Sequence, residues 1–189
     1  MNARLLALLP AAIAVNLVVG GLVNAMGLPL YLDSLGTILA TVLAGPVAGI
    51  LVGIIGQLLF GLLNGYQWIP FGLIQVVIAA LAGAAATHAG FRSAGRTAAW
   101  GVLTGLVAGA LSSVISYLVF QGVTATGTTA VVTLLRQVGW SLAAAVTASS
   151  IGLDLVDKAV AFLVVGALLR SLPARMLGRF PRATAAVGR

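Results

Sequence analysis

IGLDLVDKAVAFLVVGALLR, residues 151–170, is an apolar helical stretch with Asp154, Asp157 and Lys158 set into its first half. At about 100° per residue these three share one face of a helix. With Arg170 at a membrane boundary, Lys158 lies roughly 18 Å away, inside a hydrocarbon layer about 30 Å thick. A charge at that depth costs about 2.5–3.5 kcal/mol on insertion scales, so the cluster needs partners or a wet cavity. The plain alternative is an Asp154–Lys158 pair one turn apart that snorkels to the interface. We read the face as lining a ligand pocket.

The rest of the chain supports a membrane setting. Of 189 residues, 61% are hydrophobic and only 7% charged, against about 25% charged in soluble domains. The fold class expected is therefore all-α and integral to the membrane, in one domain over residues 1–189. Six transmembrane helices are read at about 5–26, 33–44, 46–64, 69–89, 97–121 and 152–171. An outer segment at 128–150 and a basic tail at 172–189 complete the chain. The apolar run after Arg4 continues to Val23, longer than the core of a signal peptide. Gly45-Pro46 breaks helix two from helix three, and Tyr66 and Trp68 are placed at headgroup level.

The non-spanning status of 128–150 follows from charge. With six spans and both termini cytoplasmic, Arg4, Arg92, Arg96, Arg170, Arg175, Arg179, Arg182 and Arg189 all fall inside. That is eight of ten Lys plus Arg, as the positive-inside rule requires. The region 121–150 then lies outside as an extra helical segment. The +7 net charge is thus a topology signal, reinforced by anionic lipid, and implies no nucleic-acid partner.

Depth sorts the polar residues. Asp33, Gln57, Gln75, Tyr117, Arg136, Trp140, Asp154, Asp157 and Lys158 come from outer halves or outer loops and are the candidate substrate-binding set. Arg136 and Trp140, four apart, would share one side of a helix. Their mix of charges, amides and rings fits a small polar, planar or zwitterionic molecule. Gly45, Gly49 and Gly53, and Gly101, Gly105 and Gly109, form ladders for close helix approach, with Gly166 as a comparison outside them. Several chemistries are excluded. Zero cysteines remove thiolate sites. The single lysine follows Asp157, so no P-loop exists. His88 is alone, so no metal site is expected. No catalytic residues and no cofactor are assigned, and the chain is read as no enzyme.

GPVAGILVGIIGQ (Gly45–Gln57), preceded by DSLGT (Asp33–Thr37), resembles the S component of energy-coupling-factor (ECF) transporters. That resemblance implies a plasma-membrane subunit that captures a vitamin or related micronutrient from outside. It also implies two partners, a transmembrane coupling subunit and an ATPase pair, which explains the missing P-loop. Ala7 and Ala11 match the family's A-x-x-x-A docking pattern on helix one, with Pro10 between them. Two other readings stand beside it: a proton- or sodium-coupled secondary transporter using Asp154 or Asp157, and a structural membrane protein.

Overall fold

The computed structural model describes residues 3–122, 124 and 127–188. Arg189 and positions 123, 125 and 126 of the outer segment lie outside the described residues. Among them the chain is all-helical. Helix α1 (Ala3–Ala25) is followed by α2 (Leu35–Ala44), α3 (Pro46–Asn64), a 3-10 segment (Tyr66–Phe71), α4 (Gly72–Thr87) and α5 (Ala94–Phe120). Then come α6 (Gly127–Gln137), α7 (Leu142–Ser171) and two short helices, α8 (Ala174–Leu177) and α9 (Pro181–Val187).

Local chemistry sets most of these ends. Gly45, at φ +104, closes α2, and Pro46 starts α3 where its missing N–H costs nothing. The Ser93 side chain caps α5 by accepting from Arg96 N–H, and Ser141 caps α7 through Ala144 N–H. Helix α1 continues unbroken through Pro10.

Four stretches, Ala7–Ala25, Pro46–Asn64, Tyr66–Thr87 and Ala94–Phe120, are long and apolar enough to cross a membrane. Helix α2 has ten residues, about 15 Å, half a hydrocarbon core. Helix α7 has thirty residues, about 45 Å. Its internal charges, rather than its length, set it apart from the four.

Helix α7 starts ten residues before the expected 152. The charge argument assigned 142–150 to the outer segment, yet Ser149 and Ser150 are both buried, and Ser149 Oγ donates to Val146 O at 3.0 Å within the helix. A serine that bonds its own preceding turn does not end a helix. What remains of the outer segment is α6, which packs Val132 on Ala145 and Val146 of α7.

The glycine ladders lie at helix contacts. A Cβ at Gly101, Gly105 or Gly109 of α5 would sit 2.8, 2.5 and 2.6 Å from Ala159 Cα, Asp154 O and Ile151 Cα of α7. The two backbones touch, which only glycine permits. On α3, a Cβ at Gly53 would meet Gln75 Cβ at 2.6 Å, and Gly49 faces Thr41. Gly166 proves no free comparison, since it packs on Thr97 Cγ2; Gly152 has nothing within 4 Å.

The tail is more than a basic extension. Leu177, Ala183 and Ala186 are buried, α9 packs on α2, α4 and α7, and Phe91 N–H donates to Ala186 O at 3.1 Å. Arg170 Nη1 donates to Phe91 O at 3.1 Å and Thr97 Oγ1 at 3.3 Å. Arg92, Arg96, Arg175, Arg179 and Arg182 are exposed at this end of the bundle. The three acidic residues all lie toward the other end, Asp33 and Asp154 on the wall of a cavity and Asp157 beside them.

Candidate functional site

Helix α1 gives way at Met26 to a non-helical stretch that reaches α2 only at Leu35. Its backbone is held by α7. Asp157 Oδ1 accepts the N–H groups of Tyr31 and Leu32, both at 2.8 Å. Leu32 sits at φ +46, a left-handed conformation that a branched side chain adopts only when its surroundings hold it there. Irregular backbone that is buried needs its polar groups satisfied, and Asp157 supplies that. The other Asp157 oxygen takes the Lys158 ammonium.

Lys158 is the centre of the cluster. Its Nζ also lies 3.5 Å from Asp154 Oδ1 and 3.9 Å from Asp33 Oδ1, and 5.6 Å from the centroid of the Tyr31 ring. Asp154, Asp157 and Lys158 are all buried, so three carboxylates surround one ammonium. The ammonium takes the place a metal cation would need, and no cysteine or histidine is near to offer softer ligands. Asp154 Oδ2 has no hydrogen-bond partner among the described residues. A buried oxygen in that state is costly, and Asp154 lines a cavity.

That cavity has about 450 Å³ of empty space, its open mouth included. Asp33, Asp154 and Lys158 form its charged side and Gln57 and Gln75 its amide side. Tyr31, Trp68 and Phe71 supply rings, Ile74 and Ile78 an aliphatic wall, and Ser112 and Ser116 hydroxyls. Trp68 meets Phe60 edge-on at 5.0 Å and Tyr31 at 6.4 Å. Gln57 Nε2 donates to Trp68 O at 3.0 Å, which ties the aromatic corner to the amides.

Of the nine residues named from sequence, the structure brings Asp33, Gln57, Gln75, Asp154 and Lys158 together on the cavity wall, with Asp157 directly behind them. Tyr117, Arg136 and Trp140 lie outside the lining. Ser112 and Ser116 turn inward one helical turn apart, which leaves Tyr117, about 100° further round, 43% exposed. Arg136 Nη1 donates to Trp140 O at 2.9 Å, an arginine closing its own helix end, and Trp140 is 45% exposed.

Trp68 corrects the headgroup assignment: it is buried, while Tyr66 is 74% exposed. Tyr31, Trp68, Phe71, Ser112 and Ser116 were not among the sequence candidates. The (i, i+4) spacing of Ser112 and Ser116 on the glycine face of α5 was the available signal for the last two. Ala7 and Ala11 are both exposed on α1, whereas Ala12 turns inward onto the bundle.

Residues 3–172 match the family model described as ECF-type riboflavin transporter, S component. The chain belongs to this family. No curated protein and no solved structure matches it. As an ECF S component it is a substrate-binding subunit of a membrane transporter, not an enzyme, and resides in the plasma membrane. Membership implies a small-molecule substrate and ECF coupling and ATPase partners. In this S component the match stops at residue 172, so α8 and α9 lie beyond the matched region.

Proposed function

We propose that this S component captures riboflavin in the cavity at the Asp154–Lys158 end of the bundle. One observation carries the reading. Within a chain of this family, a cavity of about 450 Å³ combines three aromatic rings, two amides and two carboxylates. A flavin offers a flat ring to Tyr31, Trp68 and Phe71, an edge of carbonyls and N–H to the amides, and hydroxyls to the carboxylates. Asp154 Oδ2, without a hydrogen-bond partner among the described residues, is suited to accept from such a hydroxyl. Lys158 is already surrounded by carboxylates and no arginine lines the cavity, so a phosphate ester would meet Asp33 and Asp154 instead of a cation. The substrate is therefore read as the unphosphorylated vitamin.

Six passes with both termini inside is the topology we attach to this function. Helices α1, α3, α4, α5 and α7 each cross, and the second pass is α2 together with the loop that Asp157 secures. The exposed arginines then face the cytoplasm and the cavity opens outward. Ala7 and Ala11 fall in the inner half of α1, exposed for the coupling subunit. Ala7→Trp or Ala11→Trp is expected to abolish complex formation while leaving ligand binding intact.

The direct test is protein purified in mild detergent with no added ligand, its bound small molecule released and identified by mass spectrometry. Riboflavin is then titrated by quenching of its fluorescence. Recovery of riboflavin and saturable quenching are expected; recovery of a different molecule, with no quenching, would overturn the reading. Cysteine labelling from outside intact cells checks topology: Val138→Cys should react, and Ser93→Cys and Ala185→Cys should not.

A further inference from the structure

We infer that Asn16 and Thr37, neither of which lines the cavity, are positioning residues that set which way the two cavity amides point. The inference rests on the cavity being the flavin site. An amide side chain has nearly the same shape either way round, so its oxygen and nitrogen are placed by their hydrogen-bond partners. Here the partners form one directed chain. It begins at a backbone group that cannot be reversed: Gly36 N–H donates to Asn16 Oδ1 at 2.7 Å. That fixes Asn16 with its NH2 toward Thr37, and Nδ2 donates to Thr37 Oγ1 at 2.9 Å.

Thr37 has a single hydroxyl hydrogen, and it goes to Gln75 Oε1 at 2.8 Å. Gln75 Nε2 must then point the other way. It donates to Asp33 O at 3.4 Å and, through the longest link, to Gln57 Oε1 at 3.5 Å. Gln57 is left with Nε2 toward Trp68 O. Turning Gln75 round would set its oxygen against the Asp33 carbonyl and strand the Thr37 hydrogen. Both faults fall on groups almost wholly buried: Asn16 is 3% exposed, Thr37 0%, Gln57 3% and Gln75 2%. Gly53 completes the arrangement, because any side chain there would press on Gln75 Cβ and Thr37 Oγ1.

The amide wall therefore shows the ligand donors and acceptors in one fixed order. Such a wall suits a ligand edge that alternates carbonyl and N–H, as the pyrimidine ring of a flavin does. It disfavours an analogue whose edge has been altered. The selectivity of the cavity is set from α1 and α2, one layer behind its surface.

The test compares riboflavin with its N3-methyl derivative, in which the edge N–H is blocked. Fluorescence quenching is measured for the full chain in mild detergent, as wild type, Thr37→Val and Thr37→Ser. Thr37→Val keeps the shape and removes the hydroxyl, so riboflavin affinity should fall about tenfold and the preference over the N3-methyl compound should collapse. Thr37→Ser restores the hydroxyl and should restore both. A general loosening of the bundle would weaken both ligands alike and leave their ratio unchanged. An unchanged ratio in Thr37→Val, with wild-type binding normal, overturns the positioning role alone. Failure of wild type to bind riboflavin overturns the flavin reading on which it rests. If Thr37→Val yields no folded protein, Asn16→Ala reads the same chain of bonds from its other side. Collapse of the ratio there supports the role, and an unchanged ratio overturns it.

Discussion

The two sides of this bundle are joined by different means. Between α5 and α7 the backbones meet across Gly101, Gly105 and Gly109, with Asp154 O and the Ile151 and Ala159 Cα atoms where glycine side chains would be. Among α1, α2, α3 and α4 glycines also meet their neighbours, Gly36 at Ala12 O and Gly53 at Gln75 Cβ, but a polar chain is added, running from Gly36 through Asn16 and Thr37 to Gln75 and Gln57. In lipid, helices gain little from apolar burial against one another, so close packing and hydrogen bonds remain as the adhesives. The first side uses close packing, and the second adds a chain of hydrogen bonds to it. Backbone contact is insensitive to side-chain chemistry and makes a frame. Hydrogen bonding has direction and can select.

The largest expected effect comes from breaking the frame. Gly105→Leu places a branched side chain where the backbone of α7 lies, and neither helix can give way without separating. Loss of folded protein, read as aggregation on size exclusion and absence of riboflavin quenching, is the expected outcome. Gly152→Leu, on an open face of α7, should leave the melting temperature in detergent within a few degrees of wild type.

The joint between the two sides comes next. Asp157→Ala leaves Lys158 without its nearest carboxylate and two loop N–H groups without an acceptor. Removing one partner of a buried ion pair costs about 3–5 kcal/mol, so the melting temperature should drop sharply and riboflavin binding with it. Asp157→Asn keeps an acceptor for the loop and should fall between Ala and wild type. If Asp157→Ala melts as wild type does, the loop is held by something else. The smallest effect belongs to the surface: Arg136→Ala and Trp140→Ala should each change riboflavin affinity by less than about threefold. A tenfold loss from either would move α6 into the binding wall.

The frame was easier to read from sequence than the joint. The membrane class followed from composition, and the charged face of α7 stood out because charges in an apolar helix are costly and therefore informative. Gly45-Pro46 marks the start of α3 in the sequence as it does in space. Polarity and depth together picked out Asp33, Gln57, Gln75, Asp154 and Lys158, which the fold brings to one wall. The same two criteria also picked out Arg136 and Trp140, where Arg136 donates to the Trp140 carbonyl in a local helix-end contact that periodicity does not reveal. Tyr31 and Trp68 escaped for the opposite reason. An aromatic ring beside a helix end normally belongs at the headgroups, and only a contact between distant segments tells a buried one apart. The start of α7 at Leu142 was hidden because the charge argument took 128–150 as one segment, and charge does not mark where a helix begins.

The bond between Asp157 and the Tyr31–Leu32 backbone spans 126 residues of chain for Tyr31, which gives it a place in time as well as in space. At about 5–20 residues per second of synthesis, roughly 6–25 s separate the two ends leaving the ribosome. Through that interval the loop's two N–H groups have no acceptor from α7, and hydrocarbon offers none. In the six-pass topology proposed above, the loop between α1 and α2 gains its acceptor only when α7 has been made, so α7, which forms one side of the cavity, also completes the other.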